Sequence, residues 1–143
     1  MNDRIGVLLV GLGGAVASTV VAGVEMMRKG APRLGMITET ELGQAVGAVP
    51  LDNLVFGGWD LRGDDLYEAA RTHGVIGRDR LADVEKELRA LRPWPGVTSS
   101  AFLPSDLGAN VVHARSYRDE LRVMREQIAA FQRDQKLTRL VMV

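Results

Sequence analysis

Residues 5–19, IGVLLVGLGGAVAST, pass from an apolar run through three glycines into a proline-free segment. Ile5 to Val10 is short, apolar and rich in β-branched residues, the composition of a parallel strand buried on both faces. Gly11, Gly13 and Gly14 then break the run. From Ala15 to Lys29, Val16, Val20, Val24 and Met27 recur at helical spacing, so the stretch reads as strand, glycine turn, helix. Such a turn aims the first N–H groups of the helix out of the carboxyl end of the strand, where the partial positive charge of a helix start holds a diphosphate. The strict G-x-G-x-x-G spacing is not met, because Val16 stands at the third glycine position and only the small Ala17 beside it is left to provide close packing. A tight turn without a ligand is the competing reading. The Ser18 and Thr19 hydroxyls either approach a phosphate or bond back to helix carbonyls.

The 143 residues suffice for one domain with one core, and 46% hydrophobic with 25% charged residues is ordinary for a globular protein. Lys plus Arg and Asp plus Glu both number 18, so no net field draws the chain to nucleic acid or an anionic membrane. The absence of cysteine excludes disulfides and thiolate metal sites. No signal-peptide pattern opens the chain and no apolar run is long enough to span a bilayer, which makes a cytoplasmic location the expectation.

Gly30-Ala31-Pro32 stops the first helix after Arg28 and Lys29. Leu34–Ile37 is a candidate second strand weakened by Gly35, and residues 38–50 read as a long connection with one helical turn. Leu54-Val55-Phe56 is the next apolar run, followed by Gly57-Gly58-Trp59-Asp60, so a strand ending there presents a carboxylate to the ligand crevice. Asp60 is then either a ribose contact or a turn or cap residue, and Trp59 is core or crevice wall.

Asp64 is expected to cap a helix carrying Leu66, Tyr67, Ala69 and Ala70, and Arg78–Leu91 to form another with Leu81, Val84, Leu88 and Leu91 inward. Pro93-Trp94-Pro95-Gly96 redirects the chain into an extended segment from Val97 to Leu103. Ser116 and Asp119 form a capping box for a helix reaching about Lys136, with Leu121, Met124, Ile128 and Phe131 inward. The Arg115, Arg118, Arg122 and Arg125 stripe is read as solvated ion pairs, Arg115 with Asp119 and Arg122 with Glu126, rather than a nucleic-acid face. Neither His73 nor His113 has a partner at metal-ligand spacing. Leu137–Val143 closes the chain as an apolar strand, where a parallel sheet would next present more site residues, so the chain reads as a fragment of a longer protein or a truncated gene product. The expected fold is α/β, a three-layer arrangement over residues 1–143 with Ile5–Val10, Leu54–Phe56 and Leu140–Val143 parallel in one mainly parallel sheet that is incomplete at its C-terminus.

Three blocks in order, VGLGGAVASTVVAG, LVFGGWDLRGDDLYEAA and QIAAFQRDQKLTRLVMV, resemble the myo-inositol-1-phosphate synthases, also called inositol-3-phosphate synthases. Family members are much longer, so the resemblance is to their N-terminal, NAD-binding part. It implies a Rossmann-type domain in an isomerase of inositol and phospholipid biosynthesis that converts glucose 6-phosphate to inositol phosphate by NAD-dependent oxidation, aldol closure and reduction, and that assembles as a homo-oligomer, a tetramer. It places the diphosphate on the Gly11–Ser18 turn, at Gly13, Gly14, Ala15 and Val16, the adenosine ribose at Asp60, and the adenine side at Gly96 and Val97.

This chain departs from the family where Ala15, Val16 and Ala17 replace two asparagines and a glycine, which leaves backbone contacts only. The family's catalytic lysines and acids lie beyond Val143, so no catalytic residue and no metal ligand is assigned here. A stand-alone nucleotide-binding or regulatory module without catalysis is the alternative. For the ribose, the ordinary spacing rule instead favours Glu39 or Glu41, about 20 positions beyond the glycines.

Overall fold

The computed structural model describes residues 3–97 and 108–143. Ile5–Val10 (β1), Leu54–Asp60 (β2), Trp94–Pro95 (β3) and Arg139–Met142 (β4) form one parallel sheet in the order β3-β2-β1-β4. Ile5 of β1 is in register with Leu54 on one side and Arg139 on the other. The three apolar runs are therefore parallel, as their composition predicts. Helices Ala15–Arg28 (α1), Glu41–Ala45 (α2), Leu66–His73 (α3), Arg78–Ala82 (α4), Glu85–Arg89 (α5) and Tyr117–Asp134 (α6) fill the connections.

One face of the sheet carries the main core. Leu12, Val21, Ala22 and Val24 meet Phe56, Leu66 and Ala70, with Leu81 of α4, Leu88 of α5 and Val84 between them closing the cluster. The buried stripe of α1 runs through Ala17, Val21 and Val24, whereas Val16 and Val20 are exposed. Of the expected stripe, Val24 is buried and Met27 packs against the core, while Val16 and Val20 face outward, because apolar residues flank both sides of this helix.

On the other face, Gly6 of β1 and Gly57 of β2 lie beneath Phe131 of α6. A Cβ on either glycine would come within 3.1 Å of that ring, so the missing side chains let α6 settle close to the sheet. Trp94 stacks edge-on to both Phe131 and Trp59, with ring centroids 5.3 and 5.2 Å apart. The Trp59 indole N–H donates to Gln127 Oε1 at 2.7 Å, which satisfies its polar atom in an otherwise apolar contact. Trp59 is core.

Several local expectations are corrected. Leu34–Ile37 is not a strand; the chain there makes a 3₁₀ turn at Ile37–Glu39, and β2 takes the place beside β1. Strand β2 runs on through Gly57 and Gly58 to Asp60, since parallel pairing with Leu8, Leu9 and Val10 continues past the glycines.

Asp65, not Asp64, caps α3: its Oδ1 accepts the Glu68 N–H at 3.0 Å, while Asp64 pairs with Arg62. The segment from Arg78 to Leu91 is two short helices, tightened by the Val84 N–H bonding the Leu81 carbonyl, a break that turns Val84 fully into the core. Ser116 caps α6 as expected, but the helix ends at Asp134 and Leu121 is 60% exposed. Arg122 pairs with Asp119, three residues back, rather than with Glu126. The extended reading of Val97–Leu103 lies, beyond Val97, outside the described residues.

At the end of α1 the Lys29 ammonium reaches α5, 2.8 Å from Glu87 Oε2 and 2.7 Å from the Asp83 carbonyl. That hydrogen bond holds the Glu87 carboxyl below its ordinary range. The stabilisation is therefore present above the unfolded carboxyl's range and fades as pH falls through the lowered one. No helix among the described residues is long and apolar enough to cross a membrane.

Candidate functional site

The glycine turn is stapled to the end of the neighbouring strand. The N–H groups of Gly11 and Leu12 both donate to the Trp59 carbonyl, at 2.8 and 2.9 Å, and Gly14 N–H returns to the Gly11 carbonyl at 2.9 Å. Gly11 sits at φ +85°, a conformation that side chains other than glycine rarely adopt. Leu12, fully buried, pins the turn to the core.

Helix α1 then starts with Gly14 in extended geometry as its N-cap, no side-chain cap bond and no acid in its first turn. Its first internal bond is from Ser18 N–H to the Gly14 carbonyl, so Ala15, Val16 and Ala17 N–H precede the helical ladder. An uncapped helix start that also lacks acidic side chains is suited to an anionic ligand. Ser18 is fully buried and its hydroxyl donates to the Gly14 carbonyl at 2.8 Å, so of its two expected roles the back-bond to the helix is found.

Asp60 stands at the carboxyl end of β2, directly beside this turn. Its Oδ2 accepts the Gly13 N–H at 2.9 Å and its Oδ1 accepts the Arg62 N–H at 2.9 Å. A Cβ on Gly13 would sit 3.2 Å from Asp60 Oδ2, which makes the missing side chain part of the geometry. The Arg62 guanidinium turns instead to Asp64, with its Nη2 2.8 Å from Oδ2.

Gly96 follows β3 and is tied to Asn110 and Val112 by backbone bonds of 2.9 Å each. A Cβ there would press on the Leu61 side chain and lie 3.5 Å from the Asp60 carbonyl, which places Gly96 beside the end of β2. Gly11, Gly13, Gly14, Ala15, Val16 and Asp60 are thus brought together, with Gly96 beside Asp60 and Val97 next to it in the chain. Glu39 pairs with Arg33 at 2.6 Å and Glu41 opens α2. Neither ends a strand.

Two residues of this site carry no motif. Asn110 Nδ2 donates to the carbonyls of Asp60 and Trp94, at 2.9 and 3.3 Å, while its backbone joins Leu61 and Gly96. It ties the ends of β2 and β3 together. Asn110→Ala leaves those two carbonyls without the amide and is expected to cost about 1–2 kcal/mol of stability, read from the urea midpoint. His73, in the last turn of α3, places its Nε2 2.9 Å from the Gly13 carbonyl. A side chain 60 positions from the loop gives no local signal in the sequence. Among the described residues no cluster of His, Asp and Glu is arranged to hold a metal ion.

Residues 33–143 match the family model described as myo-inositol-1-phosphate synthase, an NAD-binding domain. The chain is 32% identical over 154 residues to the inositol-3-phosphate synthase 1 of Bacteroides thetaiotaomicron, covering 99% of this chain and 36% of that protein. To the inositol-3-phosphate synthase 1 of Oryza sativa subsp. japonica it is 26% identical over 168 residues, covering 98% and 33%. The crystal structure of inositol-3-phosphate synthase from Caenorhabditis elegans shares the fold with a TM-score of 0.89 at 20% identity, over 98% of this chain and 34% of that one. The chain spans about a third of the length of these relatives.

Proposed function

The chain belongs to the myo-inositol-1-phosphate synthase family, and we propose that it holds NAD with the diphosphate over the Gly11–Ser18 turn and the adenosine ribose at Asp60. The contact between Gly13 and Asp60 carries this reading. It joins an uncapped helix start to a carboxylate at the end of the adjacent strand, the two features that dinucleotide recognition requires side by side. Ala15 and Val16 offer N–H groups to the diphosphate, and Asp60 offers carboxylate oxygens to the ribose hydroxyls. Gly96 and Val97 line the adenine side. These residues bind and orient; bound NAD would supply the two-electron oxidant. No catalytic residue is assigned within this chain.

The larger protein of which such a domain forms part acts, in this reading, as an inositol-3-phosphate synthase. It takes glucose 6-phosphate to inositol 3-phosphate by oxidation, aldol cyclisation and reduction, in the cytoplasm, as a tetramer and in service of phospholipid biosynthesis. The names of the relatives and the match over residues 33–143 support the synthase activity in this reading.

The site is tested by Gly13→Val. The added isopropyl group meets the Asp60 carboxylate and blocks close approach of a diphosphate, so calorimetry should register at least a tenfold loss of NAD affinity (about 1.4 kcal/mol). Unchanged affinity in a folded variant would remove the loop from the cofactor site.

A further inference from the structure

The Gly13 backbone is gripped from two directions. Its N–H donates to Asp60 Oδ2 and its carbonyl meets His73 Nε2, both at 2.9 Å. A carbonyl oxygen only accepts, so Nε2 is the protonated nitrogen in this contact. The Gly13 carbonyl belongs to the peptide unit whose N–H, that of Gly14, is bonded to the Gly11 carbonyl. One peptide plane is therefore fixed at both ends, and it is the plane immediately before the Ala15–Ala17 amides.

Glycine loses more backbone freedom on ordering than any other residue, and a loop of three glycines in four positions is costly to hold in one shape. A ligand that must first order the loop binds more weakly by that amount.

We propose that His73 is a positioning residue of the dinucleotide site, holding the Gly13–Gly14 peptide in the orientation that presents the helix-start amides to the diphosphate. This rests on the reading of the glycine turn as the NAD site. His73 is exposed, and α3 ends beside it for its own reason, with Gly74 at φ +65° and its N–H bonded to the Ala70 carbonyl. Replacing the ring consequently leaves the helix end intact, and leucine and glutamine are both good helix formers.

The test compares the unsubstituted chain with His73→Leu and His73→Gln, by NAD calorimetry and thermal unfolding. Leucine fills space without a donor, and glutamine restores an amide N–H at similar reach. His73→Leu should weaken NAD binding about three- to tenfold, the effect of one lost hydrogen bond, with the thermal midpoint within about 2 °C. His73→Gln should return affinity to within about twofold.

Full affinity in His73→Leu, or a His73→Gln variant as weak as the leucine one, would overturn the proposal. A leucine variant whose midpoint falls by more than about 5 °C would assign the contact to stability alone and overturn it as well. If the unsubstituted chain binds no NAD, the site reading itself fails and the proposal falls with it.

Discussion

Gly58→Ala is expected to cost this protein most or all of its fold. Gly58 lies in the second half of β2 at φ +152°, paired with Leu9 of the central strand. A Cβ built there overlaps the Leu9 carbonyl oxygen and crowds the Leu9 carbonyl carbon and amide nitrogen, all backbone atoms that no rotamer change can move aside. Relief requires β1 and β2 to separate at the pairing that also seats the glycine turn. Backbone strain and overpacking together cost about 3–5 kcal/mol, a large part of the whole stability of an ordinary domain. Thermal unfolding should show a midpoint lower by about 10 °C or more, or no cooperative transition. A Gly58→Ala protein that melts within about 2 °C of the unsubstituted one would contradict the described register at Leu9 and Gly58.

Asp60→Ala carries the largest expected effect on binding. In the proposed site the carboxylate bonds the ribose hydroxyls, and charge-assisted hydrogen bonds of this kind contribute roughly 1.5–3 kcal/mol. NAD affinity should therefore fall about ten- to a hundredfold. Because Asp60 also holds the Gly13 and Arg62 N–H groups, part of that loss comes from a loosened loop. Asp60→Asn separates the two contributions. The amide oxygen still accepts one N–H, but the negative charge that repels the extra phosphate of NADP is gone, so NADP should gain on NAD. Glu39→Ala is the control and should leave NAD binding unchanged. Loss of affinity in the Glu39 variant alone would move the ribose reader to the 3₁₀ turn and away from Asp60.

The strand, turn and helix of residues 5–28 were legible because two periods change sharply across three glycines, and β1 lies where the composition puts it. The end of β2 was harder to read. Glycines ordinarily weaken strands, but here Gly57 makes room for Phe131 and Gly58 for the Leu9 backbone, demands that only the packed neighbours reveal. The same holds for α1, whose apolar residues outnumber the positions its buried face can take, so spacing chose Val16 and Val20 where packing chose Ala17 and Val21. Between Asp64 and Asp65 local sequence offers no distinction. Burial and the nearby Arg89 and Arg92 guanidiniums decide for Asp65.

Within the site, the glycines and Asp60 follow from the motif and the family blocks. Asn110 and His73 reach the same place from distant elements, through contacts to carbonyls that carry no residue-type signal.

The placement of β1 between β2 and β4 also orders events during folding. The Gly13–Asp60 bond closes a span of 47 residues, whereas the Thr138 side chain reaches the Arg4 carbonyl across 134. By the logarithmic law of loop closure the longer span costs about 1 kcal/mol more entropy, and the four-residue β4 has fewer pairings to set against it. The β1-α1-β2 unit, with the glycine turn formed, is therefore expected to assemble before β4 pairs onto its open side. Amide hydrogen exchange should follow that order, with slow exchange at Leu8 and Phe56 and earlier opening along Arg139–Met142.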